Sequence, residues 1–348
     1  MFEVANSAAG RWRSRAVAVM AIVAALMIPS ACGGDSDGTG DSPSTVNIGV
    51  GGAFSFTYLP LYIAQSQGFL DEALEPLGAK AEVTAFNDSV SATKALLNGN
   101  VDYVASVVST MLNAISTGSD LKSIAQYYDT DIVVMIARKG LPTDVASLAD
   151  MSWGITAFGA NNEVSARAVA AAFGLSADDL ELTAVGPPSS YQPAIKSGKV
   201  DVVLAGEPGA SNLIVAGDGV EVLNLFDPAV VERVYGGTYA TSSLQSTSDY
   251  IADHGELTKA LVSAQIEALQ WIQEHISDPA AIAAALPEEM RTDTIDAVIK
   301  RILPGLSKDG MVQVDALENT VEATKAAGMF DDSVDFDFAE IADNSNRP

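Results

Sequence analysis

A chain of 348 residues, 48% of them hydrophobic, can bury a sizeable core, most simply as two domains. Acidic residues outnumber basic ones 45 to 19, and the net charge of −26 argues against nucleic acid or an anionic lipid surface as a partner. A single cysteine, Cys32, rules out an intrachain disulfide.

The first 31 residues read as an export signal. Arg11, Arg13 and Arg15 precede Ala16–Ile28, an unbroken apolar run of 13 residues, and "PSAC" follows. The run is shorter than the roughly 20 residues a membrane-spanning helix needs. "SAC" resembles the lipobox of bacterial lipoproteins, although Pro29 stands where leucine is usual. That resemblance implies cleavage before Cys32 and lipidation of its thiol; simple secretion and an uncleaved anchor are the alternatives. Residues 32–45 contain almost only Gly, Asp, Ser, Thr and Pro, a flexible tether with a reach of about 20 Å. The protein is then expected on the outer face of the cytoplasmic membrane, held there by acyl chains.

From Val46 onward, apolar runs alternate with helical patterns. "VNIGV" precedes a helix starting at Thr57–Pro60 and reading through to Glu72; proline suits its first turn, where no N–H partner is needed. "KAEVTAF" (Lys80–Phe86) leads to a helix over Ser89–Leu97, and "VDYVAS" (Val101–Ser106) to one over Thr110–Ser116. "SIAQYY" and "DIVVMIARKG" read as strands. The order then restarts: "WGITAF" and a helix from Asn162, "LELTAV" and Tyr191–Lys196, "VDVVLAG" and Pro208–Ala216, then "VEVLNLF". Strands with intervening helices imply parallel α/β units. "LNGNVDYVAS" (Leu97–Ser106) echoes "KSGKVDVVLA" (Lys196–Ala205), each with glycine where a helix C-cap needs a left-handed residue. The echo suggests two similar lobes. Beyond Leu244 the chain reads as almost wholly helical, with "LTKALVSAQIEALQWIQEHI" (Leu257–Ile276) the strongest amphipathic stretch, expected to return over the first lobe. The expected organisation is a first lobe over 46–138, a second over 139–238 and a return with C-terminal helices over 239–345. Two crossings, near Arg138–Pro142 and Tyr235–Thr241, would form a two-strand hinge.

In such sheets ligands bind beyond the carboxyl ends of the strands, where helices begin. Five segments occupy those places: Gly51–Tyr58, Asn87–Ser89, Ser106–Thr110, Phe158–Glu163 and Gly206–Pro208. None contains lysine or arginine. Phe54, Phe56, Tyr58 and Phe158 offer stacking faces, while Asp88, Glu163 and Glu207 offer acceptors. Local roles compete with these: Asn161 and Asn162 could cap a helix, and Glu163 and Glu207 could serve as first-turn acids. "GVGGAF" lacks the third glycine of a dinucleotide fingerprint and no Walker lysine motif occurs, so any ATP hydrolysis falls to a partner. No nucleophile–base pair is visible, and neither His254 nor His275 falls in a strand-end segment.

"PLYIAQSQGFLDEALEPLGAKAEVTAF", "ALLNGNVDYVAS", "STGSDLKSIA", "SLADMSWGITAFGANNEVSARAVAAAFGL" and "SGKVDVVLAGEPGA" resemble the solute-binding proteins of bacterial ABC importers. The branch they resemble serves nitrate, sulfonates, taurine and thiamine-precursor pyrimidines. The resemblance implies a type II periplasmic-binding-protein-like α/β fold: two lobes, a two-strand hinge and a helical C-terminal extension. It also implies a monomer that binds a small molecule without a cofactor or metal and delivers it to a permease with its own ATPase. Carried over, it nominates Phe54, Phe56, Tyr58, Ser109, Thr110, Asn161, Asn162 and Glu207 as ligand contacts. "FGANNE" departs from the glycine-serine-rich turn usual in the third of these loops. A pyrimidine-like ring and a sulfonate or other small anion are the two expected ligand classes. Rival functions are a same-fold enzyme of thiamine-pyrimidine or menaquinone biosynthesis and the ligand-binding subunit of a sensor.

Overall fold

The computed structural model describes residues 45–331 and 333–348. The expected leader, Cys32 and nearly all of the tether lie outside the described residues.

Among the described residues, ten strands form two five-stranded sheets. The chain lays down β1 (Thr45–Val50), β2 (Lys80–Ala85), β3 (Tyr103–Val107) and β4 (Leu121–Gln126) in the first sheet. It then builds β5 (Val134–Arg138), β6 (Ser152–Ile155), β7 (Glu181–Ala184), β8 (Val202–Ala205) and β9 (Gly219–Asn224) in the second, and returns to the first with β10 (Ser242–Thr247). The orders are β2-β1-β3-β10-β4 and β7-β6-β8-β5-β9. In each sheet the first three strands are parallel and the fourth is antiparallel to its neighbours. Both antiparallel strands, β10 and β5, are the ones the chain forms just after crossing over. The sheets are therefore mixed: the parallel α/β units read from the sequence account for three strands of each, and the strand formed after a crossing runs against them.

The two lobes are alike in detail. Gly99 and Gly198 both adopt left-handed φ, at 69° and 71°, and end the preceding helices as the echo requires. The aspartate that follows does the same work in each: the Asp102 carboxylate accepts from the Asn47 backbone N–H (2.7 Å), and that of Asp201 accepts from the Ser152 hydroxyl (3.1 Å). Each aspartate thus ties the third strand in its sheet's order to the second, β3 to β1 and β8 to β6.

Fourteen helices of the α type accompany the strands among the described residues: α1 (Leu59–Ser66), α2 (Phe69–Leu74), α3 (Ser89–Leu97), α4 (Val108–Ser116), α5 (Asn161–Ala172), α6 (Tyr191–Ser197), α7 (Gly209–Val215), α8 (Pro228–Tyr235), α9 (Ser248–Asp253), α10 (Gly255–Glu274), α11 (Pro279–Ala285), α12 (Ile295–Ile302), α13 (Val314–Ala326) and α14 (Phe338–Ile341). The single helix expected over Thr57–Glu72 is broken. Gly68, at φ 85°, makes a left-handed step between α1 and α2 that a Cβ would strain. Pro60 does sit in the first turn.

Two segments join the sheets. The first runs from Gln126 to Val134, upstream of the expected Arg138–Pro142, because Val134–Arg138 is already paired with β8 and β9. The second leads from Tyr235 into β10. A third length of chain, around Leu303–Gly310, runs beside them. Asp129 N–H donates to the Gly305 carbonyl (2.9 Å), Tyr239 N–H to that of Asp129 (3.0 Å) and Ser307 N–H to that of Tyr127 (2.9 Å).

The C-terminal helices cover more than the first lobe. α10 packs on α1 and α2 as expected. α12 instead faces the second sheet, where Arg301 reaches Glu207 and Glu221 and Thr294 reaches Asn212. α13 lies against both α4 and α5.

Candidate functional site

The carboxyl ends of β1, β2 and β3 meet at one junction. Gly51 carries no Cβ because one would lie 2.5 Å from Ser89 Oγ and 2.8 Å from Tyr58 Oη. The space it leaves lets Tyr58 Oη and Ser89 Oγ meet at 2.9 Å, each also within reach of the Gly51 carbonyl. Asp88 caps α3, accepting from Ser91 N–H at 2.7 Å. The next helix, α4, starts without a side-chain cap, and the Ser109 and Thr110 hydroxyls in its first turn have no side-chain hydrogen bond among the described residues.

In the second lobe, Thr156 at the end of β6 donates to Asn162 Oδ1 (3.0 Å) and meets Tyr191 Oη (2.8 Å). Asn162 Nδ2 donates to the Leu204 carbonyl of β8 (2.7 Å). Glu163 accepts from Gly159 N–H (2.8 Å) and from Arg167 (2.8 Å), fixing the turn into α5. α5 begins without a side-chain cap.

These loops enclose a cavity of about 490 Å³, within the roughly 300–1,000 Å³ of small-molecule sites. All five strand-end segments contribute to its wall, three from the first lobe and two from the second. Val90, Ala157 and Pro188 beside those segments, Ile132 and Val133 of the first crossing, Thr156, Tyr191 and Phe226 complete it. Sequence reasoning missed these eight. Tyr191 and Phe226 bear no local mark of exposure to a cavity, and the crossing residues sit within an ordinary apolar run. Every ionisable wall residue is Asp, Glu or Tyr, and no described lysine or arginine faces the cavity.

Of the residues singled out in the sequence, Phe56, Tyr58, Asp88, Ser109, Thr110, Phe158, Asn161, Asn162 and Glu207 line the cavity. Phe54 does not. It adopts φ 53°, is 42% exposed, and stacks on Tyr62 with ring centroids 6.4 Å apart. The turn at Phe54 carries its ring onto Tyr62 and away from the wall that Phe56 joins.

The lining residues differ in what they can offer. Phe158 is 61% exposed and presents a bare ring. Tyr58 and Phe56 are buried in the core, and burial pushes the Tyr58 phenol far up, so it stays neutral. The Glu207 carboxylate is already held by Arg301 (2.7 Å) and Ser211 Oγ (2.9 Å). Asn161 is engaged too: its amide donates to Asp131 (2.8 Å) and its carbonyl accepts from Tyr239 Oη (3.2 Å). Phe158, Ser109, Thr110 and backbone N–H groups are what remain for a guest, with the Asp88 carboxylate shared with Ser91 N–H (2.7 Å) and Ser91 Oγ (3.2 Å).

Asp131, in the first crossing, went unmarked in the sequence. It is fully buried and accepts four hydrogen bonds, from Ile132 N–H (2.8 Å), Asn161 (2.8 Å), Ser165 (2.6 Å) and Tyr235 (2.7 Å). It therefore binds one crossing to the tyrosine leading into the other and to the helix that opens the cleft.

A family model described as "NMT1/THI5 like" matches residues 55–278. The chain belongs to the NMT1/THI5-like family. Solved structures agree on the fold. A protein from Bordetella bronchiseptica RB50 is 26% identical with a TM-score of 0.69, over 88% of this chain and 94% of that one. The alkanesulfonate-binding protein SsuA from Xanthomonas axonopodis pv. citri, bound to MOPS, is 17% identical with a TM-score of 0.64, over 88% and 98%. The periplasmic nitrate-binding protein NrtA from Synechocystis PCC 6803 is 16% identical with a TM-score of 0.65, over 84% of each. No protein with a curated description matches the sequence. This member of the NMT1/THI5-like family thus has the fold of periplasmic solute-binding proteins of ABC import systems, with its cleft where the two sheets' strand ends face each other.

Proposed function

We propose that this protein captures a small organic molecule between its lobes and hands it to an ABC permease, acting as a monomeric binding protein and not as an enzyme. The observation that carries this reading is the convergence of strand-end loops from both sheets on one cavity. A ligand touching both lobes favours the closed arrangement over the open one, and closure is what a permease can sense. The solved relatives named above, binding proteins for alkanesulfonate and nitrate, support the same class of role. Lipidated Cys32 would hold the protein at the outer face of the membrane; an extracted protein heavier than the chain from Cys32 onward, by the mass of acyl chains, tests this.

The ligand class we favour is a flat ring, neutral or weakly cationic. The wall offers the free face of Phe158 and the Asp88 carboxylate, which accepts from Ser91 but has no ion-pair partner among the described residues, and no lysine or arginine to pair with an anion. Stacking on Phe158 is worth about 0.5–1.5 kcal/mol beyond area burial. Phe158→Ala should therefore weaken calorimetric binding of an aminopyrimidine roughly two- to twelve-fold. Its melting temperature should hold, since the ring is mostly in solvent. An unchanged affinity would remove Phe158 from the site.

One observation favours a second reading, a small anion such as a sulfonate. α4 and α5 both direct uncapped first turns at the cavity, and such N–H groups attract negative charge. Tight binding of taurine or an alkanesulfonate with no response to pyrimidines would select it.

A further inference from the structure

Each jaw of the cleft is hydrogen-bonded to both crossings. In the first lobe the wall residues Phe56 and Thr57 share one tight turn, and their carbonyls accept from opposite crossings. The Tyr128 hydroxyl of the first crossing donates to the Phe56 carbonyl (2.6 Å). Ser242, where the second crossing enters β10, donates its hydroxyl to the Thr57 carbonyl (2.9 Å). In the second lobe one wall residue makes both connections. Asn161 donates to Asp131 of the first crossing (2.8 Å) and accepts from Tyr239 Oη of the second (3.2 Å). Tyr128, Asp131, Tyr239 and Ser242 are all fully buried and lie behind the cavity wall, not on it.

The crossings are also fastened to each other. The Thr241 hydroxyl donates to the Thr130 carbonyl (2.7 Å), and Tyr127 N–H to that of Ser242 (2.9 Å). The Tyr128 ring, besides, meets Phe226 of the second lobe edge-on, with centroids 6.1 Å apart. Tyr128 therefore touches a wall residue of each lobe without touching the cavity. Buried polar networks with their partners in place rigidify what they join, and a bending hinge has to change backbone angles in its crossings. We propose that the two crossings couple the jaws, so that loosening one jaw from the hinge loosens the other, with Tyr128 and Tyr239 as the positioning residues. The cleft is thereby shaped as one unit before a guest enters. The use of this coupling in capture rests on the reading proposed above.

The test is amide hydrogen exchange followed by mass spectrometry on the ligand-free full chain. Tyr128→Phe keeps the ring against Phe226 and removes the hydroxyl from the first jaw. Tyr239→Phe removes the hydroxyl from the second. In each variant exchange should quicken about three-fold or more over both jaws, residues 53–62 and 157–166. Strands β2 and β7, which pair with β1 and β6 and not with a crossing strand, should exchange as in the parent. A purely local anchor would quicken the jaw that it touches and leave the opposite one unchanged, and that result overturns the coupling. So does exchange unchanged in both jaws, or a rise that is equal in β2 and β7, since global opening would then carry it. Ser242→Ala, which frees the Thr57 carbonyl, serves if Tyr128→Phe does not fold. The readout needs no ligand, so its failure leaves the capture reading in place. Equally, failure of aminopyrimidine and taurine to bind would count against that reading and leave the coupling standing.

Discussion

Replacing Arg301 by alanine is expected to lower the unfolding free energy by about 3–5 kcal/mol, the usual loss when one partner of a buried ion pair is removed. The Glu207 side chain is only 1% exposed, and Arg301 Nη1 meets both its carboxylate and Ser211 Oγ at 2.7 Å. Without the guanidinium a buried negative charge keeps only the Ser211 donors. At roughly 2 °C per kcal/mol for a chain of this size, the melting temperature should fall about 6–10 °C. Adding Glu207→Gln to Arg301→Ala should recover most of that loss, because the stranded charge disappears with it. A drop below 1 kcal/mol in the single variant would show that water reaches Glu207 freely. The substitution also has a binding signature. Glu207 lines the cavity, so its uncompensated charge should strengthen binding of a cationic ring and weaken that of an anion. The sign of that change reads out the charge of the guest.

Asp131→Ala should destabilise by about 4 kcal/mol or more. It strands the N–H of Ile132, the Asn161 amide and the hydroxyls of Ser165 and Tyr235, and each buried group left unpaired costs about 1–3 kcal/mol. Ligand affinity should fall as well, since Asn161 opens the helix that walls the cleft. The dependence on pH has a definite sign. Burial pushes the Asp131 carboxyl above its usual 3.8, and the hydrogen bonds from Ser165, Tyr235, Asn161 and Ile132 offset only part of that. The native form therefore holds this proton more tightly than the unfolded chain does. Its contribution is fully present below 3.8 and is lost as pH rises through the raised native value. Measured against Asp131→Asn, which has no such proton, the parent protein should gain relative stability on acidification across that window. A relative loss there would mean that the four donors outweigh burial.

How much of this was legible beforehand varies by element. The strands β1 to β3 and β6 to β9 and the helices after β2, β3, β6, β7 and β8 were readable because their apolar period and their glycine caps are local properties. β10 was not. Its residues Ser242, Ser243, Gln245 and Ser246 are all buried, yet they show no apolar alternation. They are tolerated because backbone carbonyls accept from them: Thr57 from Ser242 (2.9 Å), Ser106 from Gln245 (3.0 Å) and Asp102 from Ser246 (2.6 Å). A strand held between two neighbours by polar contacts leaves no hydrophobic signature. The path of α12 was equally hidden, since nothing near Arg301 points to a carboxylate 94 positions earlier.

By itself the sequence determined that the chain carries two similar α/β halves, that five loops sit where strands hand over to helices, and that those loops contain no lysine or arginine. Such features follow from periodicity, capping chemistry and composition within short windows. Only the tertiary structure decided which of those residues still have something to offer. Glu207, Asn161 and Asn162 point at the cleft and yet are spent on Arg301, Asp131 and Leu204, whereas Ser109, Thr110 and Phe158 are not. Whether a polar group is free depends on partners brought close by folding, and Asp131 meets Tyr235 from 104 positions away. Local pattern can place a side chain at the mouth of a cleft, but long-range contact alone settles whether that side chain is already taken.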